Sequence, residues 1–158
     1  MTEFRSTPSH VSEMNVPTLQ PIELPQPNLK GTVTLEEALA ERRSVREFTG
    51  DPLTVEELSQ LLWATQGITD PQGYRTAPSA GALYPLEVYV ITSEGIYHYD
   101  PSRHRLTLHQ PGDFRPGLHA VALRQGPVLT APVVFVITAV YERTEAKYGK
   151  ERSPRYVH

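Results

Sequence analysis

The sequence predicts an α+β domain, and three observations carry that prediction. Two threonine-capped helical patterns lie within residues 34–66, a period-two apolar alternation takes over after residue 85, and residues 132–140 form an uninterrupted β-branched run. Helices followed by strands of this kind fit helices packed on a mostly antiparallel sheet. The chain has 158 residues, 39% of them hydrophobic, which suffices for one domain with its own core and is short for two.

Residues 1–30 are rich in Pro, Ser and Thr, and Pro8, Pro17, Pro21, Pro25 and Pro27 leave no room for a helix or a central strand. An extended or disordered arm is expected there, with the alternation Leu19, Pro21, Ile22, Leu24 suited to lying along a surface. The domain proper is assigned to residues 31–158, with order expected from Thr34. Thr34 and Glu37 form a capping-box pair ahead of the apolar stripe Leu35, Ala38, Leu39. A second box, Thr54 and Glu57, opens a stronger helix whose Val55, Leu58, Leu61 and Leu62 recur at helical spacing, with Gly67 as its stop. Trp63 is expected in the core. Residues 86–91, 95–100 and 105–109 read as three strands of an antiparallel meander. Residues 114–123 fit a short helix despite Pro116 and Gly117, and residues 132–140, apolar on both faces, are expected to be the central strand. The remainder, residues 141–158, is charged and polar.

Composition narrows the function. With 15 basic against 18 acidic side chains the net charge is -3, which argues against a general binder of nucleic acid or of anionic membranes. The absence of cysteine excludes disulfides, thiolate metal sites and a cysteine nucleophile, and six histidines show no metal-ligand spacing. No signal-peptide core or membrane-length apolar window is present, so a cytoplasmic location is expected.

Two segments stand out chemically. Arg42, Arg43, Ser44 and Arg46 gather three guanidinium groups and a hydroxyl at the end of the first helix. As cations near a helix C-terminus they would complement the dipole by roughly a few tenths of a kcal/mol each. As planar forks beside a short donor they suit phosphate oxygens, and the segment by itself leaves both readings open. Pro78, Ser79, Ala80 and Gly81, leading to Tyr84 and Pro85, form a turn of small residues whose backbone a flat ligand can approach.

Taken in order, Arg42-Arg43-Ser44-Val45-Arg46, Pro52-Leu53-Thr54-Val55-Glu56-Glu57-Leu58, Leu61-Leu62-Trp63-Ala64 and the turn from Ala77 to Glu87 resemble the nitroreductase-like flavoenzymes. The match is narrower with SagB/ThcOx-type dehydrogenases, some of which oxidise thiazoline and oxazoline rings in peptides. The resemblance runs from about residue 24 to the last residue. It implies FMN as cofactor, with Arg42, Arg43, Ser44 and Arg46 at its phosphate and ribityl chain. It also implies that Pro78, Ser79, Ala80 and Gly81 contact a flavin bound mainly by the other subunit of an intertwined homodimer. NAD(P)H or a peptide azoline is the implied donor. Lys147-Tyr148-Gly149 matches a Lys-Tyr-Gly context associated in that branch with azoline dehydrogenation. Lys147 is accordingly the expected base, a desolvated amine, and Tyr148 its partner. Family domains continue past a segment like residues 156–158 into a helix, a Gly-rich loop and a closing segment. The resemblance therefore implies that about the last quarter is missing, and that the chain is a fragment, a truncated reading frame or one half of a split protein met by a complementing C-terminal piece. Two classes of function follow: an FMN-dependent oxidoreductase, or a non-catalytic half that keeps a dimerisation or partner-binding surface.

Overall fold

The computed structural model describes residues 20–157; residues 1–19 of the arm expected over 1–30, and the terminal His158, lie outside them. A five-stranded antiparallel sheet forms the frame, with the order β1-β4-β3-β2-β5. Its strands are β1 (Ile22–Glu23), β2 (Leu86–Ile91), β3 (Gly95–Asp100), β4 (Arg105–Pro111) and β5 (Val134–Ala139), with helices α1 (Leu35–Glu41), α2 (Val55–Gln66), α3 (Arg115–Val121), α4 (Gly126–Thr130) and α5 (Glu142–Tyr148) between and after them.

Both capping boxes form. Thr34 Oγ1 accepts from the Glu37 N–H at 3.2 Å while Glu37 Oε2 accepts from the Thr34 N–H at 2.8 Å, and Thr54 and Glu57 repeat the arrangement. The two helices are used differently. α1 buries none of its residues, so its expected apolar stripe, Leu35 and Leu39, faces outward. α2 lays Leu62, fully buried, against Val88, Val90, Tyr99 and Leu106 of the sheet. It ends at Gly67, where a Cβ would stand 2.2 Å from Trp63 Cδ1, so the stop signal is also a packing requirement. Trp63 itself is only half-buried, because its ring lies over Gly67 and lines a surface cavity instead of entering the core.

The meander forms with the pairs Tyr89↔His98 and Tyr99↔Leu106. Two strand placements also differ from the sequence expectation. Regular structure starts at Ile22, not Thr34: β1 pairs with β4 (Ile22↔Leu106), Leu24 enters the core, and its N–H donates to the His104 carbonyl at 3.1 Å. Prolines forbid a helix there but keep their carbonyls. Ser59 Oγ donates to the Pro25 carbonyl at 2.6 Å, and His104 Nε2 lies 3.0 Å from the same oxygen. The other ring nitrogen, His104 Nδ1, pairs with the Tyr99 hydroxyl at 2.9 Å, and burial pushes the Tyr99 phenol up to about 12.

The second correction concerns β5. Expected at the centre, it lies at the end of the sheet and, among the described residues, pairs only with β2, from Leu86↔Ala139 to Ile91↔Val134. An apolar run announces two covered faces but not two strand neighbours, and Ile137 stays 57% exposed. The polar segment after β5 also holds more structure than its composition suggests, namely α5 and a 3-10 turn, Ser153–Tyr156. α3 begins with Pro116 in its first turn, where the missing N–H costs nothing, and Arg115 ties it to Asp113 and to the Ala131 carbonyl.

Replacing the central contact of α2 with the sheet, Leu62→Ala, is expected to lower unfolding free energy by about 2–5 kcal/mol in urea titration, the range for an emptied aliphatic site.

Candidate functional site

The turn after α2 is built from left-handed backbone. Gly81, Ala82 and Tyr84 have φ of 65°, 56° and 44°, a conformation that glycine takes freely and the other two do not. Four hydrogen bonds hold it. Ser79 Oγ accepts from the Tyr84 N–H at 3.0 Å, the Ala82 N–H donates to the Ser79 carbonyl at 3.0 Å, and the Arg75 N–H donates to the Tyr84 hydroxyl at 3.2 Å. Arg143, from α5, donates through Nη1 to the Tyr84 carbonyl at 2.8 Å.

The same arginine binds the sheet. Its Nη2 is ion-paired with Glu87 Oε1, and His98 Nε2 is hydrogen-bonded to Glu87 Oε2. Burial opposes ionisation of Glu87, yet the hydrogen bonds and charges of His98 and Arg143 outweigh it and hold the carboxyl below its usual range. One helical turn beyond Arg143 comes Lys147, on the same face. A Cβ built on Gly81 would stand 2.6 Å from Lys147 Nζ and 2.8 Å from the Tyr148 hydroxyl. Two segments more than sixty positions apart thus meet at one α-carbon. The Tyr148 ring stacks on Tyr156, with centroids 4.0 Å apart and planes at 20°. Tyr156 is set there by Ser153 and Thr144, both fully buried, whose hydroxyls each donate to the Tyr141 carbonyl.

A cavity of about 220 Å³ opens beneath the turn, lined by Gln66, Pro78, Ser79, Ala80, Tyr84 and Tyr156 among others. Above it, Arg75 lies over the Tyr84 ring at 4.5 Å and donates to Gln66 Oε1 at 3.1 Å, and burial pulls its guanidinium below the usual value. A larger cavity, about 390 Å³ beside Trp63 and His104, lies away from this turn, and its histidine has both ring nitrogens engaged.

The sequence-predicted residues fall into two groups. Pro78, Ser79, Ala80 and Gly81 are brought together with Lys147 and Tyr148. Arg42, Arg43, Ser44 and Arg46 are exposed, and among the described residues no hydrogen bond or ion pair joins them to that turn. Arg43 Nη1 donates to the Ala40 and Arg42 carbonyls at the end of α1, whereas Arg42 and Arg46 have no carboxylate partner among the described residues. Lys147 is exposed, so the expected desolvated amine is corrected: α5 sits on the surface, and none of the described residues buries that side chain. Sequence reasoning passed over Gln66, Arg75 and Arg143, and it met Tyr84, Glu87 and Tyr156 only as parts of longer stretches, with no role given to them. The dipeptide Tyr84-Pro85 ahead of an acidic strand residue was the available signal for two of them. Among the described residues no cluster of metal-ligating side chains occurs, and no helix is long and apolar enough to cross a membrane.

Comparison with known proteins completes the description. The model of the nitroreductase family matches residues 39–156. Among the similar proteins that carry the name "putative nitroreductase" are two with high coverage of this chain. One, from Methanocaldococcus jannaschii, is 46% identical over 132 residues, 80% of this chain and 66% of that protein. The other, a crystal structure from Ralstonia eutropha JMP134, superposes with a TM-score of 0.74 at 30% identity, covering 89% of this chain and 65% of its own. A protein of the trifolitoxin operon from Rhizobium leguminosarum bv. trifolii, TfxC, is 26% identical over 152 residues, 83% of this chain and 42% of that protein. The chain thus spans between two fifths and two thirds of the length of these relatives.

Because the Glu87 carboxyl ionises more readily in the folded than in the unfolded chain, its contribution to stability is present above the ordinary carboxylate value of 4.5 and is lost as pH falls through the lowered one. Urea midpoints measured from pH 7 down to pH 3, a range of about four units spanning the carboxylates, should therefore fall less steeply for Glu87→Gln than for the parent chain.

Proposed function

The chain belongs to the nitroreductase family, and from that premise we propose that it is an FMN-dependent oxidoreductase of the SagB type. In this reading it takes two electrons from NAD(P)H or a peptide azoline in ping-pong fashion. The observation that carries the reading is the convergence of Lys147 and Tyr148 on Gly81, in a turn whose small side chains leave its backbone open to a flat ring. Similarity to a trifolitoxin operon protein supports the peptide-modifying branch.

The donor set at residues 42–46 fits the phosphate of FMN. Arg42 and Arg46 are guanidinium groups without a carboxylate partner among the described residues, set beside the exposed Ser44 hydroxyl, and a dianion relieves their mutual repulsion. Arg43 contributes its charge while its Nη1 remains on the end of α1. Since these residues and the turn do not touch within one chain, the site is read as shared by two copies, with Pro78, Ser79, Ala80 and Gly81 meeting a flavin held by the partner. Leu35, Leu39, Val45, Phe48 and Leu61, all exposed, supply an apolar surface for that homodimer.

Bound flavin supplies a two-electron acceptor for a hydride. For an azoline, the ring carbon that keeps its electrons must lose a proton, and Lys147 is the base placed to take it. Tyr148, aligned by its stack on Tyr156, shares or orients that proton. In the dimer the partner and the flavin cover Lys147 and provide the desolvation that the single chain lacks.

The test is an absorbance spectrum of the purified chain after incubation with excess FMN and gel filtration. A flavin band co-eluting with a dimer is expected, and Arg46→Ala should release it; a chain that retains no flavin overturns the reading. With a thiazoline-bearing peptide as donor, Lys147→Met should keep the flavin yet slow loss of two hydrogens, followed by mass spectrometry, by about 10²–10⁴-fold.

A further inference from the structure

We infer that the trough between the start of α2 and the β2–β3 turn is a binding site for a linear aliphatic amine, with the Glu94 carboxylate receiving its ammonium head. Two cavities of about 340 and 330 Å³ share Leu53, Leu58, Thr92 and Glu94, so they form one trough with the carboxylate at the junction. The larger part is walled by aliphatic side chains, among them Val55, Val90 and Leu106, and the exposed Ile22 and Leu53 continue that surface outward. The trough lies away from the turn at residues 78–81. Val55 opens α2 and Gln66 closes it, roughly 16 Å further along the axis at about 1.5 Å per residue. The site does not rest on the flavin reading.

Charge selects the head. Among the described residues Glu94 is the one ionised side chain lining the larger part, and it has no ion-pair partner there. Arg115 lines the smaller part, but Asp113 holds it at 2.7 Å and the Ala131 carbonyl accepts from it at 3.1 Å. The turn under Glu94 is fixed: its N–H donates to Thr92 Oγ1 at 3.1 Å, and its carbonyl accepts from the Gly112 N–H at 2.8 Å. Burial, and after it the charge and acceptor of Glu94, push the Tyr97 phenol up, so the carboxylate acts on a wall of the trough. An anionic head would be repelled there, and an ammonium head supplies the missing counter-charge with hydrogen-bond donors.

The walls select the tail. Thr92 Oγ1 is already taken, and aliphatic side chains offer nothing to the N–H and C=O groups of a peptide, which would be buried unmet. Methylene groups need no such partner and gain from leaving water. The larger part admits about ten groups the size of a water molecule, at roughly 30 Å³ each, enough for six carbons and the head.

The test is a titration of the full chain with hexylamine, which is protonated at about pH 7, followed in ¹H–¹⁵N spectra with hexanol and hexanoate as controls of the same chain length. Shifts are expected at residues 53–58 and 92–97. Hexylamine should bind about fivefold more tightly than hexanol, the effect of one partly exposed ion pair, and hexanoate more weakly than either. Glu94→Gln should bring hexylamine down to the hexanol level and leave hexanol unchanged. Val55→Ser, at an exposed position of the first turn of α2, should weaken both alike. Shortening the chain to butylamine should cost up to about fourfold per methylene. Lysine blocked at both ends carries the same head on a peptide backbone, and it should bind more weakly than hexylamine; tighter binding would overturn the assignment to a free amine. Hexylamine no tighter than hexanol, an undiminished preference in Glu94→Gln, shifts confined to other residues, or no saturable binding of any of the three would overturn the site.

Discussion

The carboxylate of Glu87 is the point on which the site depends. It lies on β2, takes a hydrogen bond from His98 of the neighbouring strand, and holds the guanidinium of Arg143 from α5. Arg143 uses its other terminal nitrogen for the Tyr84 carbonyl, so one side chain spans sheet, helix and turn. A planar fork serves two acceptors in fixed directions, which an ammonium group on a flexible stem does less well. α5 needs this anchor, because it is seven residues long and buries only Thr144. Helices of that length have little stability of their own in water, and their position is set by what they are tied to.

The site is also shaped by strain. Ala82 and Tyr84 adopt backbone angles that side chains ordinarily avoid, and they do so within a turn fixed from both ends by Ser79, Arg75 and Arg143. Such conformations persist where surrounding bonds over-determine them. Here the result is a ledge of small residues beside an amine and a phenol, over a cavity lined by Gln66, Tyr84 and Tyr156. The arginine segment offers the complementary property. It is cationic and exposed, and it lies apart from the turn in the single chain, an arrangement that the proposed sharing of a flavin between two copies would accommodate.

How much of this was legible in the sequence follows from the range of the interactions. Capping boxes are closed within four residues, and Thr34, Glu37, Thr54 and Glu57 form them as read. The meander rests on turns between adjacent strands, and it too formed. The nitroreductase-like α+β fold was legible for the same reason, since each motif is local and only their order is global. What escaped depends on distant partners. The pairing of Ile22 with Leu106 cannot be seen from a proline-rich arm, because the deciding groups are a serine on α2 and a histidine before β4. β5 looked central because its composition reports faces, whereas its place at the end of the sheet is a matter of neighbours. Gln66 looked like any polar residue near a helix stop. Its burial and its bond from Arg75, nine positions on, are matters of tertiary structure.

The register between β2 and β5 works as a ruler. Ala139 stands opposite Leu86, and the next residue, Val140, donates its N–H to the Pro85 carbonyl at 2.8 Å, so the chain leaves the sheet beside the turn and enters α5 at once. Side chains in β5 can change without altering that distance. A single inserted or deleted residue cannot be absorbed in the same way. It would invert the faces of β5 or rotate α5 by about 100°, a turn having 3.6 residues, and Lys147 would leave Gly81. Length, more than composition, is what residues 134–147 have to preserve.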